Sequence, residues 1–298
     1  MEHKTSDEPT ASERFPESLL GGYLRFLRSP TLTDPPAAMP KSKARNHVLR
    51  LYSLHLLLII VVGAIISSFG LQDSNLTVDA FSNMSVRQLV VAVVFVAPLL
   101  EEMIFRLPLK GTVSNLALTA SAIAFMVLMF SGISQPQLIV VGFVLLVLNL
   151  YLKLERATHQ VWPRFYERYP GLIFYFFALF FGAVHITNYS PEAWPLLPLL
   201  VLPQAIAGLW LGFVRVRYGF WWSVLAHGFH NGCLLLPLAL FKLFGSEELQ
   251  ALDIDAAEIE SFPPLDLLLL FGVGLFFAAG IWLCIANSWK MVREWKRE

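Results

Sequence analysis

Apolar stretches of about twenty residues, each closed by a short polar or proline-bearing break, follow one another along most of the chain. A helix needs ~20 such residues to cross ~30 Å of hydrocarbon. By that measure the pattern predicts about eight transmembrane helices, over residues 48–70, 88–110, 113–132, 136–154, 170–189, 196–216, 219–241 and 265–289. The expected fold class is all-α, a polytopic membrane helix bundle.

Residues 1–46 are rich in Pro, Ser, Thr and charge, a composition that predicts a mostly disordered tail. Within it Leu19, Leu20, Tyr23, Leu24 and Leu27 fall at helical spacing beside Arg25 and Arg28, the pattern of an interfacial helix. No cleavable signal peptide is expected, because the first apolar run begins only near position 48. Residues 47–290 read as a single transmembrane helical domain and 291–298 as a basic C-terminus.

Orientation follows from the basic residues. Lys41, Lys43, Arg45 and Arg50 precede the first span or sit at its start. Lys110, then Lys153, Arg156, Arg164 and Arg168, and then Arg215 and Arg217 follow the second, fourth and sixth spans, and Lys290, Arg293, Lys296 and Arg297 follow the last. The alternate loops are nearly without them, and 245–264 carries Glu247, Glu248, Asp253, Asp255, Glu258 and Glu260 with no lysine or arginine. The positive-inside rule therefore puts both termini in the cytoplasm, as an even number of spans requires. Asn75-Leu76-Thr77 and Asn83-Met84-Ser85 are glycosylation sequons in an expected outside loop.

Composition agrees with this reading. The chain is 56% hydrophobic and 15% charged, against roughly 25% charged in soluble domains. The balanced net charge gives no reason to expect a nucleic-acid partner; the lipid bilayer is the expected surroundings. Cys233 and Cys284 both lie in expected spans, so neither a disulfide framework nor a cysteine metal cluster is indicated. No internal repeat at a fixed period is present, and the pattern does not suggest inverted transporter halves.

The candidate chemistry lies where charge interrupts the second apolar run, at Glu101, Glu102 and Arg106. An ionisable group in a bilayer costs at least ~2.5–3.5 kcal/mol, so three within six residues need a reason. Glu102 and Arg106 are i, i+4 with the acid N-terminal, the favourable order for a pair. Glu101 is turned about 100° away, which leaves it free to act as a base. Further along, the fifth span ends in Phe181-Gly182-Ala183-Val184-His185, and the seventh places His227 and Asn231 on one face with His230 beside them. Gly228 and Gly232, like Gly208 and Gly212 in the sixth span, are small-xxx-small pairs that admit a close neighbouring helix. A carboxylate and an imidazole can deprotonate water, and an imidazole and a carboxamide can stabilise an oxyanion. Glu101, His185 and His227 are equally a metal-ligand set. The residues alone leave both uses open.

Glu101-Glu102-x-x-x-Arg106, Phe181-x-x-x-His185 and His227-x-x-x-Asn231, in this order on separate apolar spans, resemble the CPBP family. That family comprises CAAX prenyl endopeptidases and bacteriocin-processing and self-immunity proteins, also called Abi. The resemblance covers about 88–235. It implies an intramembrane endopeptidase with a cavity opening toward the cytoplasmic leaflet, acting on a membrane-associated peptide or protein. Carried over by position, Glu101 and His185 activate the water, and His227 and Asn231 stabilise the oxyanion. Glu102 and Arg106 support Glu101, and His230 stands outside the motif. The family is described both as metal-dependent and as metal-free, so no cofactor is assigned; zinc on Glu101, His185 and His227 is the metal version. A prenylated CAAX tail is the eukaryotic substrate type. In a bacterial plasma membrane, the expected location, a leader peptide, signalling peptide or membrane protein takes its place. The alternative is a non-catalytic self-immunity or scaffold protein; a transporter or proton relay ranks third. One consequence is open to a structural check. Counting 1.5 Å per residue puts His185 nearer the outer side than Glu101 and His227 if its helix starts at Pro170.

Overall fold

The computed structural model describes residues 18–33, 37–69, 81, 84–154, 159–246, 249 and 262–297. The first seventeen residues, both sequons' asparagines and the acidic residues of 245–264 lie outside them. The described residues are helical, with one isolated bridge between Thr112 and Gln160. We number the helices α1 (Leu19–Arg28), α2 (Lys41–Ser68), α3 (Val86–Lys110, of mixed helical type), α4 (Val113–Phe130), α5 (Gln135–Leu154), α6 (Pro163–Arg168), α7 (Pro170–Val184), α8 (Leu202–Tyr218), α9 (Phe220–Phe244) and α10 (Pro264–Trp295).

Every expected span position carries a helix. By length and apolarity five qualify among the described residues: α2, α3, α9, α10, and α7 extended to Asn188. A sixth position is broken. Pro191–Leu200 and α8 meet at Val201 with a bend of 41°. Pro203 has no N–H for the carbonyl of Leu199, four residues back, so the helix cannot run through. The third and fourth positions carry the shorter apolar stretches Val113–Met129 within α4 and Pro136–Tyr151 within α5. Among the described residues five helices, or six with the broken pair, are therefore long and apolar enough to cross a membrane.

Helix α8 is the axis of the bundle. Trp210, Leu211, Phe213 and Val214 are buried, with α2, α7 and α9 packed around them. Its fit to α7 depends on small residues. A Cβ on Gly208 would lie 2.5 Å from the Ala178 carbonyl oxygen, and one on Gly182 would lie 2.9 Å from the Ala205 Cβ. Overpacking of this kind costs about 1–3 kcal/mol. Gly208→Ala should therefore lower the unfolding temperature in detergent. Gly63→Ala, with nothing within 4 Å of the new carbon, should not.

The segment Leu19–Arg28 is not a loose tail in this structure. Ser18 caps α1 by accepting from the Gly21 N–H at 3.1 Å. Leu20 and Phe26 are buried, and Phe26 meets Phe174 and Phe213 edge-on. The basic C-terminal residues continue α10, where Glu294 pairs with Arg50 at 2.5 Å. Helix α3 packs on α9 and α4; Thr119 donates to the Met103 carbonyl at 2.8 Å, holding α4 one residue beyond the glutamates.

Candidate functional site

Helix α3 reaches the site through a local irregularity. Ser85 and Gln88 form a capping box at its start. Residues Val90–Val96 then wind as a π-helix, in which the Ala97 N–H donates to the Ala92 carbonyl. Pro98 follows and has no N–H to give. The Val93 carbonyl thus loses its α-helical partner, Ala97, to Ala92, and its π-helical partner is a proline. A buried carbonyl in that position must be met from elsewhere. Asn231 meets it, its Nδ2 donating to the Val93 oxygen at 2.9 Å.

The next carbonyl, Val94, points at Gly228, where a Cβ would lie 2.7 Å away. The motif Gly228 and Asn231 on α9 therefore fit the widened turn that Pro98 creates on α3. Gly228→Ala should push the two helices apart and lower the unfolding temperature in detergent, since overpacking of this kind costs about 1–3 kcal/mol. Gly232→Ala, whose Cβ meets only the Val94 side chain at 3.8 Å, is the control expected to leave that temperature unchanged.

One turn beyond Pro98 the two glutamates separate in environment. Glu102 is fully buried, while the Glu101 side chain keeps a quarter of its surface exposed. Glu102 Oε2 lies 3.4 Å from Arg106 Nε and accepts from the Ser223 hydroxyl. Glu102 Oε1 accepts from His227 Nδ1 at 3.0 Å. The opposite ring nitrogen, Nε2, lies 3.6 Å from Glu101 Oε2. His227 thus stands between the carboxylates, anchored by the buried one and facing the accessible one.

Arg106 is enclosed as well. Its guanidinium lies over the Phe181 ring at 4.3 Å, and its carbonyl accepts from Arg215 Nε at 3.2 Å. Phe181 connects the fifth-span motif to this centre. Its ring meets His227 at 5.8 Å and His185 at 4.8 Å, both edge-on. His185 ends α7 and donates from Nδ1 to the Phe181 carbonyl at 2.6 Å. Among the described residues no ion pair joins His185 to Glu101, and the Phe181 ring lies against both His185 and His227. Both imidazoles are anchored through Nδ1 and present Nε2.

Ser223 and Arg215 are not among the expected site residues, and Phe181 is expected only as the first residue of the His185 motif. Ser223 had a signal, since Ser223, His227 and Asn231 are four apart on one face of α9. Arg215 had none at a distance of 109 residues from its acceptor.

An imidazole anchored through Nδ1 by a carboxylate is also how metal ligands are held. Among the described residues, however, no three His, Cys, Asp or Glu side chains converge as a metal-ligand set. An apolar groove of about 390 Å³ runs beside the centre, lined by Val94, Phe95, Leu225, Gly228, Gly232 and Leu236 among others.

With its apolar helices the chain is an integral membrane protein. No curated protein and no solved structure matches it. A family described as Type II CAAX prenyl endopeptidase Rce1-like does, over residues 83–233, just over half of the chain. That stretch takes in the whole centre from Val93 to Asn231, and the chain belongs to the Rce1-like family of type II CAAX prenyl endopeptidases.

Proposed function

We propose that this protein is an intramembrane endopeptidase in which Glu101 deprotonates the hydrolytic water. The observation that carries the reading is the division between the glutamates. One is fully buried, bound to Arg106, Ser223 and His227; the other is partly open and faces the free nitrogen of that same histidine. Donating Nδ1–H to Glu102 leaves Nε2 of His227 as an acceptor. A water between Glu101 and His227 then gives one O–H to each, with its lone pairs directed away from both.

Attack on a peptide carbonyl transfers a proton to Glu101, which returns it to the leaving amine. Asn231 has one N–H on Val93; its second is the donor available to the oxyanion. His185 presents Nε2 from the adjoining turn and helps to hold the water. Arg106 and Ser223 act on Glu102, and through it on His227. No step here is routed through a metal.

The substrate is a membrane-associated peptide or protein, with its apolar part in the groove beside Gly228 and Gly232 and its scissile bond toward the cytoplasmic leaflet. A prenylated CAAX tail is one such substrate. In a bacterial plasma membrane a leader peptide or another membrane protein fills the role. Both termini are proposed to be cytoplasmic.

The test is cleavage of a panel of such peptides, prenylated and not, by the purified protein in detergent. Metal content and the effect of a chelator are measured on the same samples. Cleavage that survives chelation supports this reading. Activity lost with bound zinc and restored by it would replace it with the metal version at Glu101, His185 and His227. A folded protein that cleaves nothing would favour the non-catalytic immunity or scaffold reading.

A further inference from the structure

A second polar cluster lies on the other side of His227, and the reading above makes no use of it. His55 of α2 is 3% exposed and stacks on Trp210 of α8, with ring centroids 4.8 Å apart and planes 12° apart. His230 of α9 meets His55 edge-on at 5.1 Å. Tyr52 closes the cluster, 5.4 Å from Trp210 and 5.8 Å from His230.

Both ring nitrogens of His55, Nδ1 of His230 and Nε1 of Trp210 are buried without a hydrogen-bond partner among the described residues. Four such atoms in one place are unusual. A buried polar atom left unsatisfied costs about 1–3 kcal/mol, and native proteins carry few. The four converge from three helices, so no single helix's backbone can serve them. The set supplies an indole donor and imidazoles that each offer one donor and one acceptor. Such a set suits water, which needs two to four polar partners.

Position gives the cluster its purpose. His230 is one turn along α9 from His227, on adjoining faces, and His55 meets His230 from α2. The line His227–His230–His55 thus runs from the Glu101 centre into the bundle. Each hydrolysis consumes one water, and the centre lies among apolar spans.

We propose that His55, Trp210 and His230 line a buried hydrated pocket that delivers water to His227 and Glu101. Hydration of the pocket stands on its own geometry; delivery rests on the hydrolytic reading above.

X-ray radiolysis of the protein in H₂¹⁸O tests the hydration directly, because radicals formed from bound water oxidise the side chains touching it. Rapid ¹⁸O labelling of Trp210 and His55, despite their burial, is the expected result. Labelling no faster than at Leu211, equally buried on α8, would overturn the pocket.

Trp210→Phe and His55→Phe keep a ring and remove the polar atoms. In a hydrated pocket His55→Phe lowers the unfolding temperature; in a dry one, removal of its orphaned nitrogens raises it or leaves it unchanged. On a cleaved peptide, Trp210→Phe and His230→Phe should lower kcat about five- to thirtyfold, the worth of one or two hydrogen bonds, with KM unchanged. Unchanged kcat at equal folded fraction would overturn delivery. A wild type that cleaves no peptide contradicts the hydrolytic reading and delivery together, and leaves the labelling to decide hydration.

Discussion

Glu101→Gln is expected to abolish peptide cleavage and leave the bundle folded. The amide keeps the size and shape of the side chain but cannot take a proton from water. General-base catalysis contributes about 10²–10⁴-fold, so the rate should fall by at least that much. The fold should not notice. Glu101 keeps a quarter of its side-chain surface exposed, and its ion-pair distance to His227 Nε2 is 3.6 Å, beyond a direct hydrogen bond. The unfolding temperature of the variant should therefore match the wild type, and intrinsic fluorescence should report the same packed tryptophans. A large loss of stability would mean that Glu101 belongs to the buried network.

Arg106→Met should have the opposite signature, a loss of the folded protein itself. Arg106 and Glu102 are essentially without solvent exposure, 3.4 Å apart. Removing one partner of a buried pair strands the other charge and costs about 3–5 kcal/mol. Marginal stabilities of about 5–15 kcal/mol make that a severe fraction. The companion variant separates charge from packing. In Glu102→Gln/Arg106→Met the stranded negative charge is gone, while the Gln carbonyl still accepts from His227. The double variant should recover much of the folded yield lost by Arg106→Met alone. Equal yields for both would show that Arg106 matters through its contact with Phe181, not through its charge. Yield of monodisperse protein after detergent extraction is the measurement.

The pattern of apolar runs located the helices because transfer into hydrocarbon is a local property of about twenty residues. It said less about where a helix breaks. Pro191, Pro195, Pro198 and Pro203 crowd the sixth position, and hydropathy does not register a missing N–H. The ten residues from Leu19 read as an interfacial helix, and in the structure Phe26 of that helix is covered by Phe174 and Phe213, partners more than 140 residues away. A hydrophobic pattern says which face is apolar, not what covers it.

The site divides along the same line. The Glu102–Arg106 approach follows from i, i+4 spacing on one helix. The place of His227 between the two glutamates does not, because it depends on how α9 lies against α3. That arrangement traces to Pro98, whose missing N–H frees the carbonyl that Asn231 takes. The proline was visible in the sequence, but its effect was not, since a π-helical turn changes which carbonyl is orphaned.

The central claim is that Glu101 activates the water that cleaves the peptide. The most direct measurement is a single-turnover cleavage in H₂¹⁸O, with wild type and Glu101→Gln at equal folded concentration. The peptide is one that the wild type cleaves. The account predicts that the wild type places ¹⁸O in the new carboxylate and that the variant forms product at least about 10²-fold more slowly. Equal rates from two equally folded proteins would contradict it.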